Sequence, residues 1–412
     1  MRYLYNFAIF FTGIAVRIIA LFNEKINLFV QGRKETFSIL RKGVSSEEKT
    51  IWMHCASLGE FEQGRPVLES LKKSLPEYKI VLSFFSPSGY EVQKNYEGAD
   101  LVVYLPLDTE SNAKRFVQLV HPSIALFVKY EFWPNILKEL KSLKIETLLV
   151  SGIFRKDQLF FKSYGNWMRQ SLKAFTYFFV QNEDSQKLLD GIGFKNISVS
   201  GDTRFDRVSN ILEQDNHLKF LDNFVKDRIV IVAGSTWPKD EKILAKFMNE
   251  NQNEAVCMVV APHNIVPKDI LRLKESFTCK TSLYSEGIFS SESKVFIADT
   301  VGILTKIYSY GHLAYVGGGF DKDGVHNVLE PAVFGIPLII GPEFEKFEEA
   351  KDLVDLGGCL VANDESDFLN KMNLLIKDKS LREKTGDITK LFIKNNTGAT
   401  EIISSYIREK LK

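Results

Sequence analysis

The chain has 412 residues, of which 45% are hydrophobic and 25% charged, with a formal net charge of +1. That length supports two domains with well-buried cores, and the balanced charge gives no basic excess of the kind a nucleic-acid partner requires. Cys55, Cys257, Cys279 and Cys359 are far apart and form no C-x-x-C pair, which argues against a zinc site or a disulfide framework and for a reducing compartment.

Residues 3–22, YLYNFAIFFTGIAVRIIALF, form the first predicted element, an apolar helix of about 30 Å. Arg17 interrupts it near one end, where its long stem lets the guanidinium reach the headgroups. No small-x-small cleavage site follows, so the segment does not read as a signal peptide. A helix that crosses a bilayer and one that lies in its interface both fit, and a buried core helix is the alternative that the polar and basic flank disfavours. Downstream, Lys25, Arg33, Lys34, Arg41 and Lys42 outnumber Glu24 and Glu35, and the positive-inside rule then puts the rest of the chain in the cytoplasm.

Residues 51–71, IWMHCASLGEFEQGRPVLESL, read as strand, small-residue turn and amphipathic helix. Such a turn ordinarily cradles phosphate on the free N–H groups of the helix start. Here Gly59 is followed by Glu60, a carboxylate that repels phosphate. The apolar runs KIVLSFF, DLVVYLP, SIALFV, IETLLVS, TYFFVQ and ISVSG follow, separated by helical stretches. Continuous rather than alternating hydrophobicity predicts strands covered on both faces, as in parallel α/β sheets. ALFVKYEFWPNIL sets Glu131 just past a strand end, and VSGDTRFDRV ends the last strand of this half near Arg204. Two carboxylates and an arginine at the strand ends of one domain make a polar constellation where a substrate would sit. A structural ion pair between loops is the alternative for Glu131 and Arg204.

A polar stretch at 206–228 holds no strand candidate and predicts an interdomain linker. The second half restarts with RIVIVAGS, AVCMVVAP, KVFIADT, LAYVGG and PLIIG, and closes on the helical pattern GATEIISSYIREKLK. The prediction is two doubly wound domains, 45–205 and 229–412, behind an anchor segment 1–44. Ligands of such sheets bind beyond the carboxyl ends of the strands, so a cleft between two facing domains is the expected site.

In YVGGGFDKDGVHNVLEPAVFGIPLIIGP, a strand ends at Gly317–Gly319 and a helix begins near Asn327. Asn327 and Glu330 have the spacing of a capping pair. The same groups suit a nucleotide: helix amides for phosphate, and the Glu330 carboxylate for vicinal ribose hydroxyls. Asp321-Lys322-Asp323 is a D-x-D that could hold a divalent cation, but the lysine between the acids favours a solvated polar loop. His263 in VAPHN, Gly302 in ADTVGIL, and Ser235 and Thr236 in AGSTWPKDE stand at further strand ends.

Taken in order, ASLGE, YEFWPN, QNEDS, SGDTRFD, VGGGF and HNVLEPAVFGIPLIIGP behind an N-terminal anchor resemble the Kdo (3-deoxy-D-manno-octulosonic acid) transferases of lipopolysaccharide synthesis. The resemblance runs over essentially the whole chain. It implies a GT-B fold and transfer of Kdo from CMP-Kdo to a lipid A precursor, at the cytoplasmic face of the inner membrane, with no bound metal or other cofactor. Carried over, Glu60 matches the catalytic base, and Glu131 and Arg204 match positions that stabilise the transition state, the latter often a lysine in relatives. Asn327, Val328, Leu329 and Glu330 match the CMP-binding stretch, with further CMP contacts at Pro262, His263, Val301, Gly302 and Ile303. Two positions depart: relatives commonly read P-R-H at Ala261-Pro262-His263, and many carry Glu at Ile303. The competing readings are a GT-B enzyme acting on a UDP-sugar, as transferase or epimerase, and a membrane-tethered sugar-binding protein without turnover.

Overall fold

The computed structural model describes residues 2–287 and 289–412. The chain divides into two compact units, Met1–Arg207 with Thr397–Lys412, and Val208–Asn396.

In the first unit, β1 (Thr50–Cys55), β2 (Lys79–Phe84), β3 (Leu101–Tyr104), β4 (Pro122–Val128), β5 (Glu146–Gly152), β6 (Tyr177–Val180) and β7 (Ile197–Val199) form one parallel sheet, ordered β3-β2-β1-β4-β5-β6-β7. Successive side chains of a strand face opposite ways. Trp52 therefore joins a core with Phe116 and Phe127, while Ile51, Met53 and Cys55 join one with Phe61 and Leu68. Strand order reverses between β1 and β4, which makes their carboxyl ends the switch point where such sheets bind ligands.

Three N-terminal helices precede or follow β1: α1 (Arg2–Ile19), α2 (Glu24–Gly43) and α3 (Leu58–Ser74). α2 covers β3, burying Leu40 and Thr36, whose hydroxyl donates to the Tyr104 carbonyl at 2.9 Å. α1 buries no residue, and Tyr3, Phe7, Phe10, Phe11 and Ile18 are exposed. One edge of it is nonetheless tied down. Tyr5 donates to Asp108 at 2.8 Å, Asn6 accepts from Asn135 at 2.8 Å, and Arg2 pairs with Glu110.

α3 lies close on the sheet because of Gly64, where a Cβ would stand 2.8 Å from Met53 Sδ and 3.0 Å from Val128 Cγ2. The C-terminal helix Ala399–Leu411 packs on α3 and belongs to this unit, a correction to the sequence division that left it within 229–412. Its fully buried Ile403 and Ile407 enter the core around Ile51 and Phe61, each contributing about 1.5–3 kcal/mol. Asp206 fixes where it starts, accepting the N–H and hydroxyl of Thr400 at 2.7 and 2.8 Å.

In the second unit, β8 (Ile229–Thr236), β9 (Val256–Pro262), β10 (Thr281–Leu283), β11 (Val295–Ile297), β12 (Leu313–Val316), β13 (Leu338–Ile340) and β14 (Cys359–Val361) form a second parallel sheet, ordered β10-β11-β9-β8-β12-β13-β14. Its switch point lies between β8 and β12. Part of the stretch read as a linker is packed: Leu221 and Phe224 are buried, and the Phe220 ring lies tilted against Phe289 and Phe296 of this unit.

Candidate active site

At the first switch point, β1 ends at Cys55, Ser57 caps α3 in an extended conformation, and Glu60 takes the third helical position. Its carboxylate accepts the Ser57 N–H at 2.9 Å, the returning half of a capping box. This local rule explains an acid in a loop shaped like a phosphate cradle. Glu60 is 6% exposed. Burial pushes its pKa up, and the nearby negative charge of Glu131 adds to that. The Ser57 and Ala56 backbone hydrogen bonds and His54 work the other way and are outweighed.

Glu131 follows the end of β4 across Lys129, which holds φ +67°. A positive φ is costly for a residue with a side chain, and such strain collects at functional sites. The Glu131 carboxylate accepts the indole N–H of Trp133 at 2.9 Å, and His54 Nε2 lies 3.6 Å away. Trp133 also points its indole N–H at His54 Nε2, 3.1 Å away, and His54 Nδ1 lies 2.9 Å from the Ser83 hydroxyl. His54 is fully buried in β1.

Arg204 stands beyond β7, part-exposed, its Nε donating to Asp202 Oδ2 at 2.8 Å. Asp202 also accepts from Gln63 Nε2 at 3.2 Å, and Gln63 lies one turn along α3 from Glu60. One network thus joins the helix bearing Glu60 to the start of the helix Thr203–Ser209, which bears Arg204. Sequence reading singled out Glu60, Glu131 and Arg204 but missed His54, Gln63 and Asp202. A histidine inside a strand with both faces covered was a usable signal. The Gln63–Asp202 contact spans 139 residues and left none.

In the second unit, Ser235 holds φ +53° at the end of β8, and Asp240 ties both switch-point strands. Asp240 is buried and accepts from the Trp237 N–H at 2.8 Å, the Gly318 N–H at 2.9 Å and the Tyr315 hydroxyl. Gly317 admits the two backbones side by side, since a Cβ there would stand 2.3 Å from the Ser235 carbonyl. Around this point Trp237 stacks on His263 with centroids 4.7 Å apart, and His263 on His326 at 4.5 Å. Pro262 ends β9 beside this stack.

The helix expected near Asn327 begins at Leu329 and is four residues long, with Val328 at its cap. Asn327 still serves its start, accepting the Leu329 N–H at 3.1 Å and donating to Glu330 Oε1 at 3.0 Å. Glu330 Oε2 accepts from Thr305 at 3.0 Å. Thr305 follows the exposed Val301-Gly302 turn and Ile303, so that turn and Glu330 are linked. Asp321 of the D-x-D pairs with Lys239 at 2.8 Å.

A family profile described as 3-Deoxy-D-manno-octulosonic-acid transferase (kdotransferase) matches residues 31–207. A 3-deoxy-D-manno-octulosonic acid transferase of Aquifex aeolicus is 29% identical over 82% of this chain and 90% of its own length. One of Haemophilus influenzae is 26% identical over 96% and 95%. Residues 31–207 match the Kdo transferase family, and the chain is similar to its curated members over most of its length. Its fold is the GT-B fold of glycosyltransferases and epimerases. A UDP-GlcNAc 2-epimerase from Neisseria meningitidis, 13% identical, matches it with a TM-score of 0.63 over 87% of this chain and all of that one. Glu60, Glu131 and Arg204 all fall within the span matched by the Kdo transferase profile.

Proposed function

We propose that this chain transfers Kdo from CMP-Kdo to a hydroxyl of a lipid A precursor, at the cytoplasmic face of the inner membrane, by an inverting displacement that uses no metal. The observation that carries the reading is the buried Glu60 beside Glu131 at a sheet switch point, within the span matched by the Kdo transferase profile. A sugar hydroxyl is a poor nucleophile and needs its proton removed as it attacks. Glu60 takes that proton, and its raised pKa makes it a stronger base than an ordinary glutamate. The hydroxyl oxygen bonds to the anomeric carbon while the bond to the phosphate oxygen breaks, and CMP leaves as a phosphate monoester. One displacement opposite the leaving group inverts the anomeric centre.

Glu131 offsets positive charge that develops at the anomeric carbon. Arg204 faces the departing phosphate. In the second unit, Glu330 with Asn327, Val328 and Leu329, the turn Val301-Gly302-Ile303, and Pro262 with His263 hold the CMP moiety. Asp321 is engaged by Lys239, which supports phosphate handling by fixed protein charges rather than by a D-x-D metal clamp.

The exposed apolar face of α1 supports work at a membrane surface. Its ties through Tyr5, Asn6 and Arg2 favour a helix lying in the interface, because a crossing helix would have to leave the unit it is bonded to. The test is incubation of purified protein with CMP-Kdo and a lipid A precursor in the presence of EDTA, with products weighed by mass spectrometry. A Kdo mass increment on the lipid is the expected result, and none would overturn the reading. Thermal protection by UDP compounds but not by CMP would favour the UDP-sugar alternative.

A further inference from the structure

We propose that the cavity between α1 and α2 binds the phosphate of a phosphorylated membrane lipid, with the half-buried Arg33 as its counter-charge. The cavity has a volume of about 250 Å³ and is lined by Val16 and Arg17 of α1, Phe29, Arg33 and Lys34 of α2, and Leu107. Arg33 is the unusual member. Its guanidinium carbon lies 3.4 Å from the centroid of Phe29, 4.6 Å from Phe85 and 5.0 Å from Tyr104. It donates to the carbonyls of Phe29 and Phe85 at 2.9 and 2.6 Å, yet its Nε is buried without an acceptor among the described residues. Among the described residues no carboxylate offsets its charge there, and burial pulls its pKa down to about 9.

The ring faces and the two carbonyls offset part of the cost of desolvating a guanidinium that has no anion, and its buried Nε without a partner adds to that cost. The exposed Arg17 and Lys34 bring two more positive charges to the same cavity. A phosphate satisfies all three, because its oxygens accept several charge-assisted hydrogen bonds at once. The apolar share of the lining, and the exposed face of α1 alongside, specify a phosphate carried on a lipid rather than a free one. The cavity also stands one side-chain layer from the first-unit site. Phe85, whose carbonyl Arg33 holds, packs on Trp133 with centroids 4.5 Å apart, and Trp133 donates to Glu131.

The full chain is titrated with dihexanoyl phosphatidic acid, dihexanoyl phosphatidylcholine and inorganic phosphate, read by calorimetry and thermal shift. Phosphatidic acid is expected to bind about tenfold or more tighter than either control, and to lose about tenfold in Arg33→Met and in Arg17→Gln/Lys34→Gln. The double variant changes only exposed side chains and decides the matter if Arg33→Met does not fold. Equal binding by parent and double variant, or by phosphatidic acid and phosphatidylcholine, overturns the proposal. Flotation with vesicles carrying phosphatidylglycerol or a phosphorylated glycolipid, at equal charge, identifies the source. Preference for the glycolipid assigns the site to the acceptor, and equal Arg33-dependent binding assigns it to bulk anionic lipid. These readouts are independent of transfer, so the phosphate site and the proposed activity can fail separately.

Discussion

The backbone N–H of Ser57 donates to the Glu60 carboxylate at 2.9 Å, so one side chain both starts α3 and faces the carboxyl end of the first sheet. The bond holds the carboxylate in a fixed orientation, while burial and the charge of Glu131 raise its pKa. Rigid placement and an elevated proton affinity are the two properties a general base requires.

The first consequence is a pH profile. Glu60 acts when deprotonated, so kcat/KM falls on acidification, with a limb above the ordinary glutamate range. Glu131→Gln removes a neighbouring negative charge that raises the Glu60 pKa, and therefore moves that limb to lower pH. A rate profile whose acid limb stays in place in the variant contradicts the coupling.

Arg204 is positioned by Asp202 at 2.8 Å. Arg204→Ala is expected to lower kcat by about 10²–10³-fold, the range for losing one group that stabilises developing negative charge. Arg204→Lys retains the charge and should recover much of the loss. Steady-state kinetics with saturating donor reads both, and an alanine variant as fast as the parent removes Arg204 from the mechanism.

Glu330 accepts from Asn327 and Thr305 and keeps lone pairs for a ribose. On the proposed reading, Glu330→Gln weakens a charge-assisted contact to the donor ribose made equally in ground and transition states. It should raise the donor KM by about ten- to a hundredfold with kcat little changed. A fall in kcat at constant KM would assign this carboxylate a different task.

Much of this architecture is legible in the sequence because both sheets are parallel and covered on both faces, so runs such as TIWMHC and RIVIVAGS announce their strands directly. The strands that escaped are Thr281–Leu283 and Cys359–Val361, three residues each at the two edges of the second sheet. The C-terminal helix was recognisable from its apolar spacing, but its partner was not. Nothing local in Ile403 or Ile407 says that they pack beside Phe61. At the site, Glu60, Glu131 and Arg204 stand out because charged residues at strand ends are conspicuous. Their supports do not, since Trp133 meets His54 and Gln63 meets Asp202 only after folding brings distant segments together.

The anchor yields a separable prediction. Phe7 and Phe10 are exposed on α1 and make no part of either core. Phe7→Glu/Phe10→Glu should abolish vesicle flotation while leaving the thermal midpoint of the soluble protein unchanged. Tyr5→Phe, which cuts the bond to Asp108, should instead cost about 1 kcal/mol in denaturant unfolding. Retained flotation in the double variant would refute the interfacial reading of α1.

Glu60→Gln is the most direct test of the central claim. Glutamine also serves the third position of a capping box, so the helix start is kept while the base is removed. The sign on stability can be stated in advance. With the Glu60 pKa raised on folding, the folded state holds the proton more tightly than the unfolded state. The resulting stabilisation is present at low pH and lost as pH rises through the folded-state pKa. A permanently neutral glutamine therefore leaves the thermal midpoint at pH 7 unchanged or higher. The measurement is Kdo transfer by Glu60→Gln under saturating substrates beside its melting curve. The account predicts a kcat lower by about 10²–10⁴-fold in a protein at least as stable as the parent. Turnover at the parental rate would contradict it.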